Sequence, residues 1–265
     1  MFSTLPEARI LAGGTFLLNS LKLLKRKGMK TPQNIISLKK VNELKGVRLS
    51  GEQLHIGSMT VINDLFNSTL LTSNFSILKK VCRNISTNPI RNMATVGGNL
   101  TSRYTWTEMG APLIALDARL HFVGAKGEKE EISVEEFFKN GGKATKILSH
   151  VSIPADKTAS VSYYRVKKMS DVDVPLLAVC IKTTFEKNRF TKTRASINNT
   201  VNFAQRDAKL EEFLNTSSIS DKLPQEALEH LDTAIYDTRG DDYKKAMFRV
   251  AIKRALIDLT EKGKS

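Results

Sequence analysis

The chain uses one local device twice. Ile10 to Leu18 reads ILAGGTFLL and Thr87 to Leu100 reads TNPIRNMATVGGNL, so each run sets a glycine pair beside a hydroxyl residue: Gly13-Gly14-Thr15 in the first, Thr95-Val96-Gly97-Gly98-Asn99 in the second. A glycine pair lets the main chain take φ > 0 and approach a ligand with no Cβ in the way. Successive N–H groups can then converge on an anion such as a phosphate or pyrophosphate. A neighbouring Thr hydroxyl or Asn amide adds donors to the same oxygens. Two such turns can grip one diphosphate from both sides. With 15 glycines in 265 residues a single pair means little, and a third pair, Gly141-Gly142, has no evident role. Any one of them is ordinarily a tight turn.

The wording around the two pairs is more specific than the pairs themselves. NPIRNMATVGGNL resembles the QIRNxATxGGNL motif, and LAGGTFLL the LAGGTxLL motif, of the FAD-binding (medium) subunit of the xanthine dehydrogenase and carbon monoxide dehydrogenase family of molybdenum hydroxylases. The two motifs stand in the family's order. The resemblance implies an α+β chain: a two-subdomain FAD-binding fold of the vanillyl-alcohol-oxidase/PCMH type, then a small C-terminal domain with a three-stranded sheet and helices. The expected divisions are residues 1–55, 56–157 and 158–265. Only nine residues precede Ile10 where relatives place a β-α unit, so the first subdomain is expected to be N-terminally shortened.

The resemblance also assigns residues. Ile10, Leu11, Ala12, Gly13, Gly14, Thr15, Phe16 and Leu17 of the first motif, with Thr95, Val96, Gly97, Gly98 and Asn99 of the second, are expected to hold FAD non-covalently. RYTWTEM stands where relatives have ASPAADL-like residues, which puts the family's ribityl-contacting acid at Glu108 and adds bulk at Tyr104 and Trp106. Trp106 reads equally as packing or as a cofactor contact. ILSHVSIP is similar to the strand that closes the FAD domain, and Leu148 matches a flavin-touching position there. SYYRVKKM looks like the family's AYxKxSRR, which places a cation near the isoalloxazine at Arg165, with Lys167 competing. Such a charge would favour the anionic reduced ring, although an exposed basic strand edge is an equal reading. The closing YDTRGDDYKKAMFRVAIKRAL is similar to the family's DxRGxxxYR…RAL.

Periodicity supplies the elements between the motifs. Leu17, Leu18, Leu21 and Leu24 predict a helix from Phe16 to Lys27 stopped by Gly28. Strands are expected at Asn34–Leu38, Leu54–Ser58, Arg119–Val123, Val174–Thr184 and Thr193–Asn198. Helices are expected from Thr60, over Phe75–Val81, over Ala111–Leu116 with Pro112 in the first turn, and at Leu210–Leu214, Ala227–Leu231 and Tyr243–Leu259.

Composition narrows the function classes. No apolar run approaches a membrane span and the N-terminus lacks a signal peptide's pattern, so no membrane is expected. Two distant cysteines, Cys82 and Cys180, fit a cytoplasmic setting and offer no iron–sulfur or zinc spacing. His55, His121, His150 and His230 show no metal-ligand spacing, and GxGxxG, GxxxxGK[ST] and GxSxG are absent. The net charge of +14 comes without aromatic stacking residues or a nucleic-acid motif, so it is read as solubility and partner steering. The implied function is electron transfer without a catalytic acid, base or nucleophile, and no metal is expected in this chain. The partners would be a molybdopterin-binding large subunit, a 2Fe-2S small subunit, and NAD or another acceptor. A stand-alone flavin oxidoreductase, or a scaffold or nucleic-acid-binding protein that has lost FAD, are the alternatives.

Overall fold

The computed structural model describes residues 8–140, 146–169 and 173–264; the Gly141-Gly142 pair lies outside them. The chain opens with β1 (Arg9–Leu11), α1 (Leu17–Arg26) and β2 (Ile35–Ser37), and β1 and β2 pair in parallel. Gly28 ends α1 at φ 67°, with the Met29 N–H returning to the Leu24 carbonyl at 2.9 Å.

There follow β3 (Val47–Ser50), β4 (Gln53–Gly57), α2 (Ile62–Asn67), α3 (Ile77–Asn84), α4 (Asn88–Arg91), α5 (Val96–Thr101) and α6 (Gly110–Ala115). Next come β5 (Arg119–Val123), β6 (Lys129–Ser133), α7 (Val134–Asn140) and β7 (Ile147–Pro154). Strands 3 to 7 form one antiparallel sheet in the order β3-β4-β7-β5-β6. Its inner face, Leu54, Ile56, Leu120, Phe122, Val151 and Ile153, is buried in one core with α2, α3, α5 and α6.

The last part is β8 (Ser160–Val166), β9 (Leu177–Glu186), β10 (Arg189–Asn198), β11 (Gln205–Arg206), α8 (Ala208–Thr216), α9 (Leu223–Glu226) and α10 (Asp242–Lys264). Three long strands, with the two-residue β11 at the edge, make the sheet β11-β10-β9-β8. Phe248, Ala251, Ile252, Ala255, Leu256 and Leu259 of α10 bury against it beside Leu210 and Leu214 of α8. The chain is thus α+β, a helix-covered antiparallel sheet followed by a second sheet-and-helix unit. β4 runs across the 55/56 division expected from the sequence, and β3 pairs with it, so residues 47–55 belong to the central sheet. VRLS is too short and too exposed to alternate visibly, which hid β3.

Cys82 and Cys180 are buried free thiols, and burial pushes Cys82 up to about 12, so these groups stay protonated packing side chains. No helix among the described residues is long and apolar enough to cross a membrane.

Candidate functional site

The two glycine motifs meet. A Cβ at Gly13 would lie 2.1 Å from the Met93 carbonyl oxygen, and one at Gly98 would lie 3.7 Å from the Ala12 Cβ. Between and beyond them runs a cleft of about 1670 Å³, floored by both motifs. That exceeds the roughly 300–1,000 Å³ of a site for a drug-sized ligand and suits an extended dinucleotide.

The motifs reach the cleft by different means. Gly14 takes φ 72° and turns the chain from β1 into α1. The N–H groups of Gly13, Gly14, Thr15 and Phe16 find no acceptor among the described residues. All four residues face the cleft as an open run of donors. In the second motif neither glycine has positive φ. Thr95 caps α5, its Oγ1 accepting the Gly98 N–H at 3.1 Å. The Val96 and Gly97 N–H groups go to the Thr60 and Ser58 carbonyls at 3.0 and 2.8 Å. Gly97 is a glycine because α5 rests on the main chain here: a Cβ would sit 2.7 Å from the Ser58 Cβ and 2.8 Å from its carbonyl oxygen. The expected second turn is therefore the first turn of a helix, with its donors already used.

Ile10, Ala12, Gly13, Gly14, Thr15, Phe16, Leu17, Thr95, Gly98, Asn99 and Glu108 line the cleft. Leu11, Val96, Gly97, Leu148 and Arg165 do not. Val96 is fully buried in the core, and Leu148 lies in the same core on the inner face of β7. Arg165 stands behind Glu108: its Nε donates to the two carboxylate oxygens at 2.9 and 3.1 Å, and its Nη2 donates to the Asp173 carbonyl at 2.5 Å. The side chains of the pair are only 4% and 6% exposed. The Tyr163 hydroxyl also donates to Glu108. Burial raises the Glu108 carboxyl above its usual range while Arg165 and Tyr163 pull it back. The two residues expected to touch the cofactor separately are thus joined, with Glu108 alone facing the cleft.

Two buried polar atoms here, Asn99 Oδ1 and Arg165 Nη1, have no partner among the described residues. Asn99 lines the cleft, and its orphan is an acceptor, which calls for a donor such as a hydroxyl on the occupant. The glycine cradle and this orphan fit a group with a diphosphate and a polyhydroxyl chain.

The IRN of the second motif, Ile90 to Asn92, has a role that its wording alone does not announce. Arg91 Nη1 donates to the Ile85 and Ser86 carbonyls at 3.1 and 2.9 Å, and its Nε to Asn63 Oδ1 at 3.1 Å. Asn63 Nδ2 then donates to the Asn88 and Asn92 side-chain oxygens at 2.7 and 2.6 Å. This network shapes Asn84–Ser86, where Ser86 takes φ 48°, into one end wall of the cleft. His55, His121 and His150, distant in the sequence, gather on the outer face of the central sheet, with His121 and His150 stacked at 4.1 Å. Among the described residues no group of His, Cys, Asp and Glu side chains converges as metal ligands.

Comparison with known proteins decides the family. The family described as the FAD binding domain in molybdopterin dehydrogenase matches residues 1–156. The chain belongs to this family. It is 26% identical over 261 residues to the carbon monoxide dehydrogenase medium chain of Hydrogenophaga pseudoflava, covering 94% of this chain and 88% of that one. It is 24% identical over 196 residues to the xanthine dehydrogenase FAD-binding subunit of Escherichia coli O157:H7, covering 71% and 65%. Among solved structures, carbon monoxide dehydrogenase from H. pseudoflava superposes with a TM-score of 0.87 at 25% identity, covering 95% of this chain and 89% of that one. Quinoline 2-oxidoreductase from Pseudomonas putida 86 shares the fold, with a TM-score of 0.87 at 22% identity and coverage of 99% and 92%. The chain is an FAD-binding, medium-subunit type of oxidoreductase chain.

Proposed function

We propose that this chain holds FAD as the electron-transfer subunit of a molybdenum hydroxylase-type complex. Its partners would be a molybdopterin-binding large subunit and a 2Fe-2S small subunit, with NAD or another acceptor receiving the electrons. The observation that best supports this is a cleft built to hold and not to react. Its charged lining residues are Arg9, Lys30, Glu108 and Asp173. Glu108 is tied to Arg165 and Tyr163, and the Asp173 carboxylate accepts the N–H groups of Lys168 and Met169 at 2.8 and 3.1 Å. Neither is poised as a base.

Bound FAD supplies exchange of single electrons with iron–sulfur clusters and of hydride with nicotinamide. The chain's residues do the holding. Gly13, Gly14 and Thr15 offer main-chain N–H groups to the diphosphate, with Ile10, Ala12, Phe16 and Leu17 forming the walls around them. Thr95 and Gly98 close the opposite side, and the Asn99 carbonyl accepts from a ribityl hydroxyl. Glu108 meets the same chain, and Arg165 holds the Glu108 carboxyl in place from behind. The Arg165 charge reaches the ring already balanced by the carboxylate. The same reading divides the chain into two FAD-binding subdomains and a C-terminal domain from residue 158.

The test is the absorbance of the purified chain, alone and co-expressed with candidate partner subunits. A yellow chain that releases FAD on heating, and whose flavin is bleached by the complex's substrate only when the partners are present, supports the reading. An Asn99→Ala variant should fold and bind FAD more weakly. A chain that stays colourless after incubation with FAD refutes it and puts the scaffold alternative first.

A further inference from the structure

Three aromatic rings stand in a row at the cleft. Phe16 follows the first glycine motif directly, and its ring lies 4.5 Å from that of Tyr104. Tyr104 in turn stacks on Trp106 at 4.4 Å and 23°. All three line the cleft, yet Phe16 is 45% and Trp106 37% exposed. Burying an aromatic ring is worth more than almost any other apolar burial, so packing residues do not stay this open. They are also not loosely placed. The Thr105 carbonyl accepts the Asn199 N–H at 2.7 Å, and the Thr107 N–H donates to the Tyr104 carbonyl at 3.0 Å. The Thr107 hydroxyl accepts the Tyr104 N–H at 3.2 Å. The 104–107 turn is therefore pinned at both ends and holds its rings fixed towards the cleft. Tyr104 has neighbours on both sides, so Phe16 and Trp106 are the two open ends of the row, and Trp106 is the end on the chain segment that leads to Glu108.

We propose that Trp106, backed by Tyr104 and Phe16, is a stacking platform for the isoalloxazine ring of the flavin. This rests on the FAD reading above and adds residues to it. The platform stands two residues from Glu108, beside Asp173–Pro175, at the end of the cleft that carries the buried ion pair. Leu21, Leu24, Lys30–Pro32 and Asn84–Ser86, which also line the cleft, are left for the adenine. The rings supply a flat, preorganised surface at low entropic cost. Trp106, Tyr104 and Phe16 are positioning residues, and the reaction does not pass through them.

The experiment uses the full chain titrated with FAD and, separately, with FMN, which lacks the adenine. Flavin emission and dissociation constants are read for wild type, Trp106→Ala and Trp106→Phe. The expected result is strongly quenched flavin in wild type and a rise in emission in Trp106→Ala. Binding of FAD and FMN should weaken alike, by on the order of tenfold. Trp106→Phe should recover part of both effects. Trp106 is the chain's one tryptophan, so its own emission should be quenched by either flavin. Unchanged emission and affinity in Trp106→Ala overturn the platform while leaving FAD binding intact. A loss confined to FAD, with FMN unaffected, assigns the platform to adenine and overturns it too. A wild-type chain that binds neither flavin overturns the FAD reading itself.

Discussion

The two walls of the cleft carry nearly the same words and are built in opposite ways. The first wall is two three-residue strands and a helix, α1, with no buried residue of its own. Leu17, Leu21 and Leu24 turn towards the cleft, while Leu18 and Leu23 are exposed. The second wall is α5 seated on Ser58 to Ile62, with Val96 and Leu100 fully buried over a five-stranded sheet. Glycine leaves main-chain donors open in the first wall, where Gly13 also lets that wall approach Met93, and serves only close packing at Gly97 in the second. One wall is held by the core, and the other is held mainly by what lies between them.

The largest expected effect is on the second wall. Gly97→Val drives a branched side chain into the Ser58 main chain, which cannot retreat from under the sheet. Overpacking of this kind costs about 3 kcal/mol or more. At roughly 2–4 °C per kcal/mol the melting temperature should fall by roughly 6–12 °C, with or without FAD. Calorimetry checks this, and an unchanged melt would mean that α5 is not anchored as described.

Gly13→Ala tests the first wall with an even shorter contact, 2.1 Å from the Met93 carbonyl oxygen. Here the thin wall can swing away, so the melt of the flavin-free protein should barely move. The strain is felt when the walls close on FAD. About 1–3 kcal/mol of it becomes a loss of affinity of roughly 5–150-fold. Hydrogen exchange sharpens the contrast: FAD should protect amides in residues 9–37 far more than those of β4 and β7. Equal protection in both would erase the distinction between the walls.

The sequence carried much of this. β5 falls on Arg119–Val123 and α1 lies within its expected span because their apolar periods are clean, while β7 falls on Ile147–Pro154, where the resemblance of ILSHVSIP puts a strand. The second motif reads as a turn because Gly97 and Gly98 are among the worst helix formers; tertiary contacts to Ser58 and Thr60 override that propensity. β6, KEEIS, hid behind its charges. Leu148, which the resemblance puts against the flavin, lies instead in the core. A bulge opposite His121 and Phe122 shifts the register, so Leu148 and Val151 share the core face where strict alternation would separate them. The Glu108–Arg165 pair joins residues far apart in the chain, and no local pattern announces such a partner.

The smallest effect lies behind the second wall, on the outer face of its sheet. His150 stacks on His121 and lies 5.1 Å from His55. Arg48 and Arg119 add positive charge nearby, and Glu131 answers it at Arg119 and at His121, 3.7 Å from each. Burial first, then the neighbouring imidazoles and Arg48, lowers His150 to about 4, and His55 and His121 are lowered too. A base whose folded pKa lies below its unfolded value of roughly 6.5 binds its proton more readily when unfolded. The neutral cluster is therefore compatible with full stability above about pH 6.5. Stability drains as the pH falls from there towards about 4, and below that no more is lost through this group. His150→Asn removes the titrating ring while keeping a polar side chain on the strand. Melts of both proteins across this window should converge as the pH drops, the wild type losing more than the variant. Because the cluster is half open to water, the difference should be small and should shrink further with salt. FAD affinity should follow the same acid window only weakly, since the histidines face away from the core on which α5 rests. A strong acid-dependent loss of FAD in wild type, absent from His150→Asn, would show that the second wall is less independent of its sheet's outer face than its packing indicates.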